Sequence, residues 1–397
     1  MNELEKLRGE IDRLDEELAR LFLRRMDVAR AVVEYKKQTG KPILDQRREL
    51  QVIEHASRLT EDEGRRLALA KLFESILALS RREQRIKVAS PEARQRHKDY
   101  LAALEGRREP LARPRVVYQG EAGAYSEMAC LDFFGPECGC EGLPQFEDVF
   151  QAVAQGRADY GVVPMENSST GAIRQVYELM GRYEHFIVGE TTVKVEHCLM
   201  APKGASLETV THVYSHEQGL FQSEQFLKSH PGWIQVPLAD TAGSARYVAQ
   251  TGDVTKAAIG SARAAELYGL EILARGVNYN GQNTTRFVVV SPSMELREGA
   301  DKISAVLSLP HEVGSLNELL TIFAVHGLNL VKLESRPMPG HSWEYLFFVE
   351  FSGNLLQPGM EAAVRDLGQI CSQLRVLGNY KNNLQAERGA EECPKPY

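Results

Sequence analysis

The sequence predicts a multidomain protein written in three successive grammars: an all-α segment, an α/β segment of two lobes and an α+β segment. Three observations predict it. Apolar residues step by three and four from Leu4 to Tyr35. Short β-runs then alternate with helical stretches from Arg115 to Val290, and the stretch from Lys302 to Asn379 reads β-α-β-β-α-β.

Residues 1–90 read as all helix. Leu7, Ile11, Leu14, Leu18 and Leu21 mark a helix that buries one stripe, and the pattern resumes at Val28, Val32 and Tyr35. Arg25 takes the stripe position between them. An always-charged guanidinium on a buried stripe calls for an anionic partner. Lys36 lies eleven residues on, close to three full turns, so it projects from nearly the same face. Two inward cations suggest a small, multiply charged anion held among helices; the alternative is an Arg that snorkels to solvent or pairs with an internal carboxylate. Thr39-Gly40-Lys41-Pro42 stops the first helix, Asp45 can cap a second, and Leu67–Gln84 form a third. On that third helix the inner stripe Phe73, Leu77 turns polar at Ser80 and Gln84, matching the cations on the first. Residues 91–113, rich in Arg and interrupted by proline, read as a linker with a frayed helix.

In the middle segment, residues 114–293, the β-runs are Arg115–Tyr118, Tyr160–Pro164, Phe186–Val188, Val193–Ala201, Val213–Ser215, Ala257–Ile259 and Arg286–Val290. Strand–helix alternation implies lobes with largely parallel sheets. The run Thr192–Ala201 has no helix before it, so it is read as crossing from one lobe to the other, which places a cleft between them. Three polar clusters sit at strand ends, where α/β proteins build sites. The turn from Gln119 through Gly120 and Gly123 to Tyr125 and Ser126 could hold an anion on its amides. Glu166-Asn167-Ser168-Ser169-Thr170 directly follows an apolar strand; the alternative is a helix N-cap cluster. Asn283-Thr284-Thr285-Arg286-Phe287 sets a hydroxyl beside a guanidinium, able to donate a proton while the cation holds a carboxylate, unless the threonines are there for β-propensity alone. His216, after Ser215, is as readily a cap as a catalyst.

The last segment, residues 301–382, has the ferredoxin-like order. Its strands are Lys302–Leu309, Leu328–Glu334, Trp343–Phe351 and Leu374–Asn379, its helices Ser315–His326 and Pro358–Ser372, and Ser315 with Glu318 forms a capping-box pattern. Residues 383–397 read as a polar tail.

Composition sets outer bounds. A net charge of -7 argues against nucleic acid as the main partner. No apolar run reaches the length of a membrane span, and the charged, helical start is unlike a signal peptide. Six sparse cysteines without zinc spacing point to free thiols in a reducing cytoplasm. No GxGxxG occurs, which counts against a nicotinamide site.

On these motifs the chain resembles the bifunctional chorismate mutase–prephenate dehydratases that feed phenylalanine synthesis, over residues 1 to about 380. The resemblance implies an intertwined helical mutase dimer, or a higher homo-oligomer, with substrate held by Arg8, Arg25, Lys36, Asp45, Arg48, Glu49, Ser80 and Gln84, and Arg8 serving the partner's site. It implies a dehydratase similar in fold to periplasmic binding proteins, with Tyr125, Ser126, Glu166, Asn167, Ser168, Ser215, Gln222, Thr285 and Arg286 at its site. It also implies a C-terminal ACT regulatory domain binding L-phenylalanine through Gly314, Ser315, Leu316, Asn329, Leu330, Glu334, Ser335 and Arg336. Two departures stand out: Ser315 replaces the usual alanine, and Tyr279 replaces an Asn or Asp.

The mutase reaction implied is an intramolecular rearrangement of chorismate that needs no cofactor or metal, only a compact substrate conformer and stabilised charge on the breaking ether oxygen. Arg8 and Arg25 suit the two carboxylates, Lys36 and Gln84 the ether oxygen, and Glu49 the substrate hydroxyl. In the dehydratase, Thr285 is the implied donor to the departing hydroxyl of prephenate, within a network of Glu166, Asn167 and Gln222. A dehydrogenase partner would need the missing dinucleotide fingerprint. The non-enzymatic alternative is an amino-acid-sensing binding protein with a degenerate mutase module, against which the complete polar set on the helices speaks.

Overall fold

A computed structural model describes residues 3–39, 45–87, 90–312, 314–338, 340 and 343–383. The expected helix stop at residues 40–44, Val313 and the tail from residue 384 lie outside the described residues. In chain order the helices α1 (Glu3–Thr39), α2 (Gln46–Ser57), α3 (Glu63–Lys87) and α4 (Pro91–Glu105) come first. There follow β1 (Val116–Gln119), α5 (Tyr125–Phe134), β2 (Cys140–Leu143), α6 (Phe146–Ala154), β3 (Tyr160–Asn167), β4 (Gly171–Ala172), α7 (Arg174–Arg182) and β5 (Phe186–Lys194). Next are β6 (Cys198–Ala201), β7 (His212–His216), α8 (Glu217–Gln222), α9 (Glu224–Lys228), β8 (Ile234–Leu238), α10 (Thr241–Thr251), β9 (Lys256–Gly260), α11 (Ala262–Tyr268), β10 (Glu271–Arg275) and β11 (Thr284–Ser291). The chain closes with β12 (Lys302–Ser308), α12 (Ser315–Val325), β13 (Leu330–Pro337), β14 (Tyr345–Ser352), α13 (Met360–Ile370) and β15 (Gln373–Tyr380).

The chain folds as two compact units. The first comprises Met1–Asp99 with Leu307–Asn329 and Pro358–Leu374. Within it the expected apolar stripe of α1 is not covered: Leu7, Leu14, Leu18 and Leu21 are all more than half exposed. The face α1 presents to α3 is offset from that stripe and carries buried Met26 and Val33, with Arg25 and Lys36 half-buried beside them. The correction has a simple cause. α1 has 37 residues, whereas α2 has 12 and α3 has 25. At 1.5 Å of rise per residue α3 is about 18 Å shorter than α1, and its bonds to α1, Arg25–Ser80 and Arg30–Glu83, lie in the C-terminal half of α1. Residues 91–105, expected to fray, form a 15-residue helix instead. The capping box expected at Ser315 also fails. Gly314, at φ 93°, is the N-cap, because Glu318 gives its two oxygens to Arg81 Nε at 2.7 Å and Arg85 Nη1 at 2.5 Å.

The second unit comprises Tyr100–Val306, Leu330–Gln357 and the described part of Arg375–Tyr397. One lobe is built on the sheet β2-β1-β3-β11-β5, with β4 paired to β3; the other on β10-β6-β9-β7-β8. The sheets are mixed rather than largely parallel. β11 runs antiparallel to both β3 and β5, and β6 antiparallel to both β9 and β10. The reason is that the chain passes between lobes twice, from β5 to β6 and back from β10 to β11, and the first strand after each crossing inserts in reverse. The first crossing falls inside Thr192–Ala201, as expected. β13-β14-β12-β15 form a third sheet, and Phe348, Leu377 and Tyr380 join Phe150, Tyr177 and Ile187 in one buried core.

Candidate active sites

In the helical unit α1, α2 and α3 bring Arg25, Glu49 and Ser80 together. Arg25 Nη1 donates to Ser80 Oγ at 2.7 Å, and Ser80 is buried. Burial pulls the Arg25 pKa below its usual value, while the charge of Glu49 opposes this. Glu49 is held by Arg81 Nη1, a residue sequence reasoning did not single out. Gln84 Oε1, an acceptor, is buried with no hydrogen-bond partner among the described residues. Asp45 accepts the amide of Arg48 at 3.0 Å and so caps α2. Arg48 is exposed, as is Arg8 on the N-terminal part of α1.

In the second unit the site forms where the crossings run side by side. Val195 N donates to Asn283 O at 2.8 Å and Val277 N to His197 O at 3.0 Å. Asn167, at the end of β3, is the most constrained group here. Its Nδ2 donates to Asn283 Oδ1 at 2.7 Å and to Thr285 Oγ1 at 2.8 Å. Its Oδ1 accepts the amides of Ser169 at 3.0 Å and Thr170 at 3.1 Å. Every donor and acceptor of the side chain is thereby engaged. Because Thr285 Oγ1 accepts from Asn167, its own hydrogen is directed elsewhere, available to a substrate.

Polar contacts continue across the crossings. Asn280 Nδ2 donates to Ser169 Oγ at 2.9 Å, Asn278 Nδ2 to Asn280 O at 2.7 Å, and His197 N to Asn278 Oδ1 at 2.9 Å. His197 is buried; its Nδ1 lies 3.1 Å from Tyr125 Oη and its Nε2 3.0 Å from Gln222 Oε1. Burial lowers the His197 pKa, with the Gln222 bond opposing, and burial raises that of Tyr125 well above normal. A neutral imidazole protonated on Nε2 satisfies both contacts. Sequence reasoning missed His197 and Asn278; a lone histidine inside the apolar run Val193–Ala201 was the available signal.

Other expected site residues lie differently. Ser215 is buried and donates to Ile259 O at 2.7 Å, and His216 caps α8 by accepting from Gln218 N at 3.1 Å. Ser168 pairs with the backbone of Thr284, and Ser126 is buried at the start of α5. The glycine amides of the turn are not open to an anion: Gly120 N donates to Leu143 O at 2.8 Å. Gly123 N donates to Glu127 Oε2 at 2.7 Å, and Gly123 O accepts from Ser261 Oγ at 2.6 Å. Gly123 has φ +90°, and a Cβ there would lie 2.9 Å from Ala264 Cα, so glycine serves close packing of the lobes.

Glu166 and Arg286 stand apart from the Asn167–Thr285 pair. Alternation along β3 and β11 sends their side chains to the side opposite Asn167 and Thr285. Arg286 is 3% exposed and binds Glu350 bidentately, at 2.9 Å from Nη1 and 2.8 Å from Nη2, and Glu190 at 3.1 Å. Burial disfavours its charge, but Glu350 more than offsets this and its pKa sits well above normal. Lys302 Nζ completes the cluster at 2.6 Å from both oxygens of Glu190. Glu166 pairs with Lys332 instead of Thr285, at 2.6 Å.

Of the expected effector residues, Gly314 caps α12, Ser315 and Leu316 open it, and Asn329 precedes β13. On β13, Leu330, Glu334 and Arg336 share one partly buried face and Ser335 takes the exposed one. Among the described residues no group of three metal-binding side chains occurs and no helix is long and apolar enough to cross a membrane.

Residues 7–85 match the family model chorismate mutase type II, and residues 116–295 the model prephenate dehydratase. The bifunctional chorismate mutase/prephenate dehydratase of Escherichia coli K12 is 32% identical over 390 residues, 96% of each chain. The prephenate dehydratase of Arthrobacter aurescens, solved in complex with L-Phe, aligns at TM-score 0.63 and 28% identity over 68% of this chain and 91% of its own. GqqA, described as a novel type of quorum-quenching acylase, aligns at TM-score 0.62 and 30% identity over 68% of this chain and 99% of its own. The two matched segments, in this order and joined over nearly the whole length of a relative, place the chain in the bifunctional chorismate mutase/prephenate dehydratase family.

Proposed function

We propose how the two activities of the family, chorismate to prephenate and prephenate to phenylpyruvate, are divided among the residues of this chain. In the helical unit Arg25 holds one carboxylate of chorismate, steadied by Ser80, while Arg8 of the partner subunit holds the other. Lys36 and Gln84 donate to the ether oxygen as its bond breaks, Glu49 accepts the substrate hydroxyl, and Arg48 and Asp45 close the site from α2. The exposed apolar row of α1 supports a homodimer, since burying it requires a second copy.

In the second unit Thr285 donates to the ring hydroxyl of prephenate. The carboxylate carbon leaves as carbon dioxide, its bonding electrons enter the ring, and the hydroxyl departs as water with the Thr285 proton, which a solvent proton replaces. The observation that carries this reading is the saturated Asn167, which frees the Thr285 hydrogen for substrate. Gln222 and Tyr125, fixed by His197, supply the opposite wall. Arg286 and Ser215 take no part in binding. Mixing the protein with chorismate alone and following phenylpyruvate absorption in alkali tests the whole sequence; accumulation of prephenate would mean the second site is inactive.

The βαββαβ segment acts as an ACT domain. L-phenylalanine binds it at Gly314-Ser315-Leu316, Asn329-Leu330 and Glu334-Ser335-Arg336, and inhibits dehydration more than rearrangement. The ligand seen in the Arthrobacter relative supports this reading. The protein works in the cytoplasm, where its thiols stay reduced.

A further inference from the structure

On β13 the side chains of Lys332, Glu334 and Arg336 form one partly buried row, with Val331, Leu333 and Ser335 on the other face. Tyr177 of α7 lies beneath the row, its ring centre 5.5 Å from Lys332 Nζ and 5.3 Å from the Arg336 guanidinium carbon. Lys332 reaches past this ring to Glu166 Oε2 at 2.6 Å. Arg286 Nη2 lies 3.7 Å from the same oxygen. The Glu166 carboxylate is thus held between a cation of its own lobe and a cation of β13. Its backbone leads directly into Asn167, whose amide positions Thr285. Glu166 and Asn167 face Arg286 and Thr285 in register across β3 and β11, with a bulge directly after Arg286. A bulged, locally irregular pair depends on side-chain contacts to fix its register.

We propose that Lys332 is a positioning residue for prephenate dehydration, and that the Lys332–Glu166 pair carries the state of β13 to the Asn167–Thr285 pair. The second clause rests on the reading that phenylalanine binds at Glu334–Arg336. A ligand that engages this row in one arrangement of β13 shifts Lys332 along with it, since only Leu333 separates Lys332 from Glu334. Losing the ammonium leaves Glu166 to Arg286 alone, which draws the end of β3 toward β11 and moves Asn167 off Thr285. Glu166 is then a structural relay and not a proton donor to substrate. The pair itself is poorly placed to hold the fold together, because Glu166 is 37% exposed and partly exposed ion pairs contribute little. The deeper Arg286–Glu350–Glu190–Lys302 cluster remains intact without Lys332, so the full chain folds without it.

The test uses Lys332→Met, Lys332→Arg, Glu166→Gln and the double variant Lys332→Met/Glu166→Gln, all in the full chain. Dehydratase kcat and KM, mutase rate, phenylalanine inhibition and phenylalanine binding by calorimetry are measured for each. Lys332→Met and Glu166→Gln are expected to lower dehydratase kcat by a similar factor, on the order of tenfold. The double variant falls no further, Lys332→Arg stays near wild type, and mutase rates do not change. Phenylalanine still binds Lys332→Met but inhibits it less. Wild-type kcat in Lys332→Met overturns the positioning role. A much larger loss in Glu166→Gln, additive in the double variant, overturns the relay by giving Glu166 a direct part in the chemistry. Undiminished inhibition of Lys332→Met refutes the coupling clause. If phenylalanine fails to bind even the wild type, the effector reading falls and takes that clause with it, while the kcat comparison still decides the positioning role.

Discussion

Thr285 and Arg286 are consecutive on β11 and serve opposite sides of the sheet. Thr285 Oγ1 lies 2.8 Å from Asn167 Nδ2 at the site, while Arg286 reaches Glu350 at 2.8 and 2.9 Å on the other side. One short strand therefore supplies both the proposed proton donor and the central cation of a buried cluster. Their losses should differ in kind. Thr285→Ala removes a hydrogen bond used as the leaving hydroxyl departs, so kcat should fall by about 10²–10³-fold. KM for prephenate and the mutase rate should stay near wild type. Steady-state assays of each half-reaction check this, and a variant keeping most of its turnover removes Thr285 from the chemistry.

Arg286→Met strips the chief partner from buried Glu350 and a second partner from Glu190, leaving Lys302 alone to neutralise both. Breaking a buried pair on one side costs about 3–5 kcal/mol. The second unit should therefore unfold at lower urea, with mutase activity surviving to higher urea than dehydratase activity. Had Arg286 bound substrate, the loss would appear in KM without a change in stability.

The Thr285–Arg286 division also shows what the sequence could and could not disclose. A threonine–arginine pair at the head of an apolar strand marked the site region, but alternation alone could not say which neighbour faced substrate. The partner surfaces were the unknown. Glu350 lies inside the apolar run Phe347–Phe351 and Glu190 follows Ile187–Gly189; lone charges in strands were visible, yet their pairing spans 64 and 96 residues from Arg286. Elements with strong local signals read correctly, such as α12, β14 and the first crossing. Elements specified by distant contacts did not: β8 and β10 passed unnoticed, and the α1 stripe was assigned to a neighbour that the single chain does not provide. The polar set Arg25, Ser80 and Gln84 was legible because helical periodicity makes an inward polar residue conspicuous.

Arg25→Ala should lower mutase kcat/KM by about 10²–10³-fold while leaving dehydration of supplied prephenate intact. Arg25→Lys keeps the charge but loses the planar fork shared by Ser80 and a carboxylate, so it should recover only part of the activity. Equal losses in both half-reactions, with circular dichroism unchanged, would contradict separate sites.

His197 gives the dehydratase a defined response to acid. Burial lowers its pKa in the folded protein below the ordinary 6.5. Between the two values the unfolded chain binds more protons than the folded one, so stability rises with pH there. The contribution is complete above about 6.5 and is lost as the pH falls toward the folded value. Thermal unfolding followed from pH 8 to pH 5 should show the midpoint declining below about 6.5, and His197→Gln should flatten that limb. An identical pH profile in the variant would assign the acid sensitivity elsewhere.

The apolar row of α1 makes the final prediction. Leu7, Leu14, Leu18 and Leu21 are 54%, 53%, 58% and 63% exposed in the single chain, and an apolar surface of this length is costly to leave in water. Arg8 lies on the same N-terminal half of α1, remote along the helix from Arg25, so it serves a site only if a second copy brings it there. Leu14→Glu/Leu18→Glu places two charges on the row without touching Arg25, Ser80 or Gln84. Light scattering should then report a smaller particle, and mutase activity should collapse while prephenate dehydration persists. Circular dichroism on the same sample separates this from unfolding of α1. A variant that keeps both its mass and its mutase rate would show that the row is not the dimer seam and that Arg8 acts within its own chain or not at all.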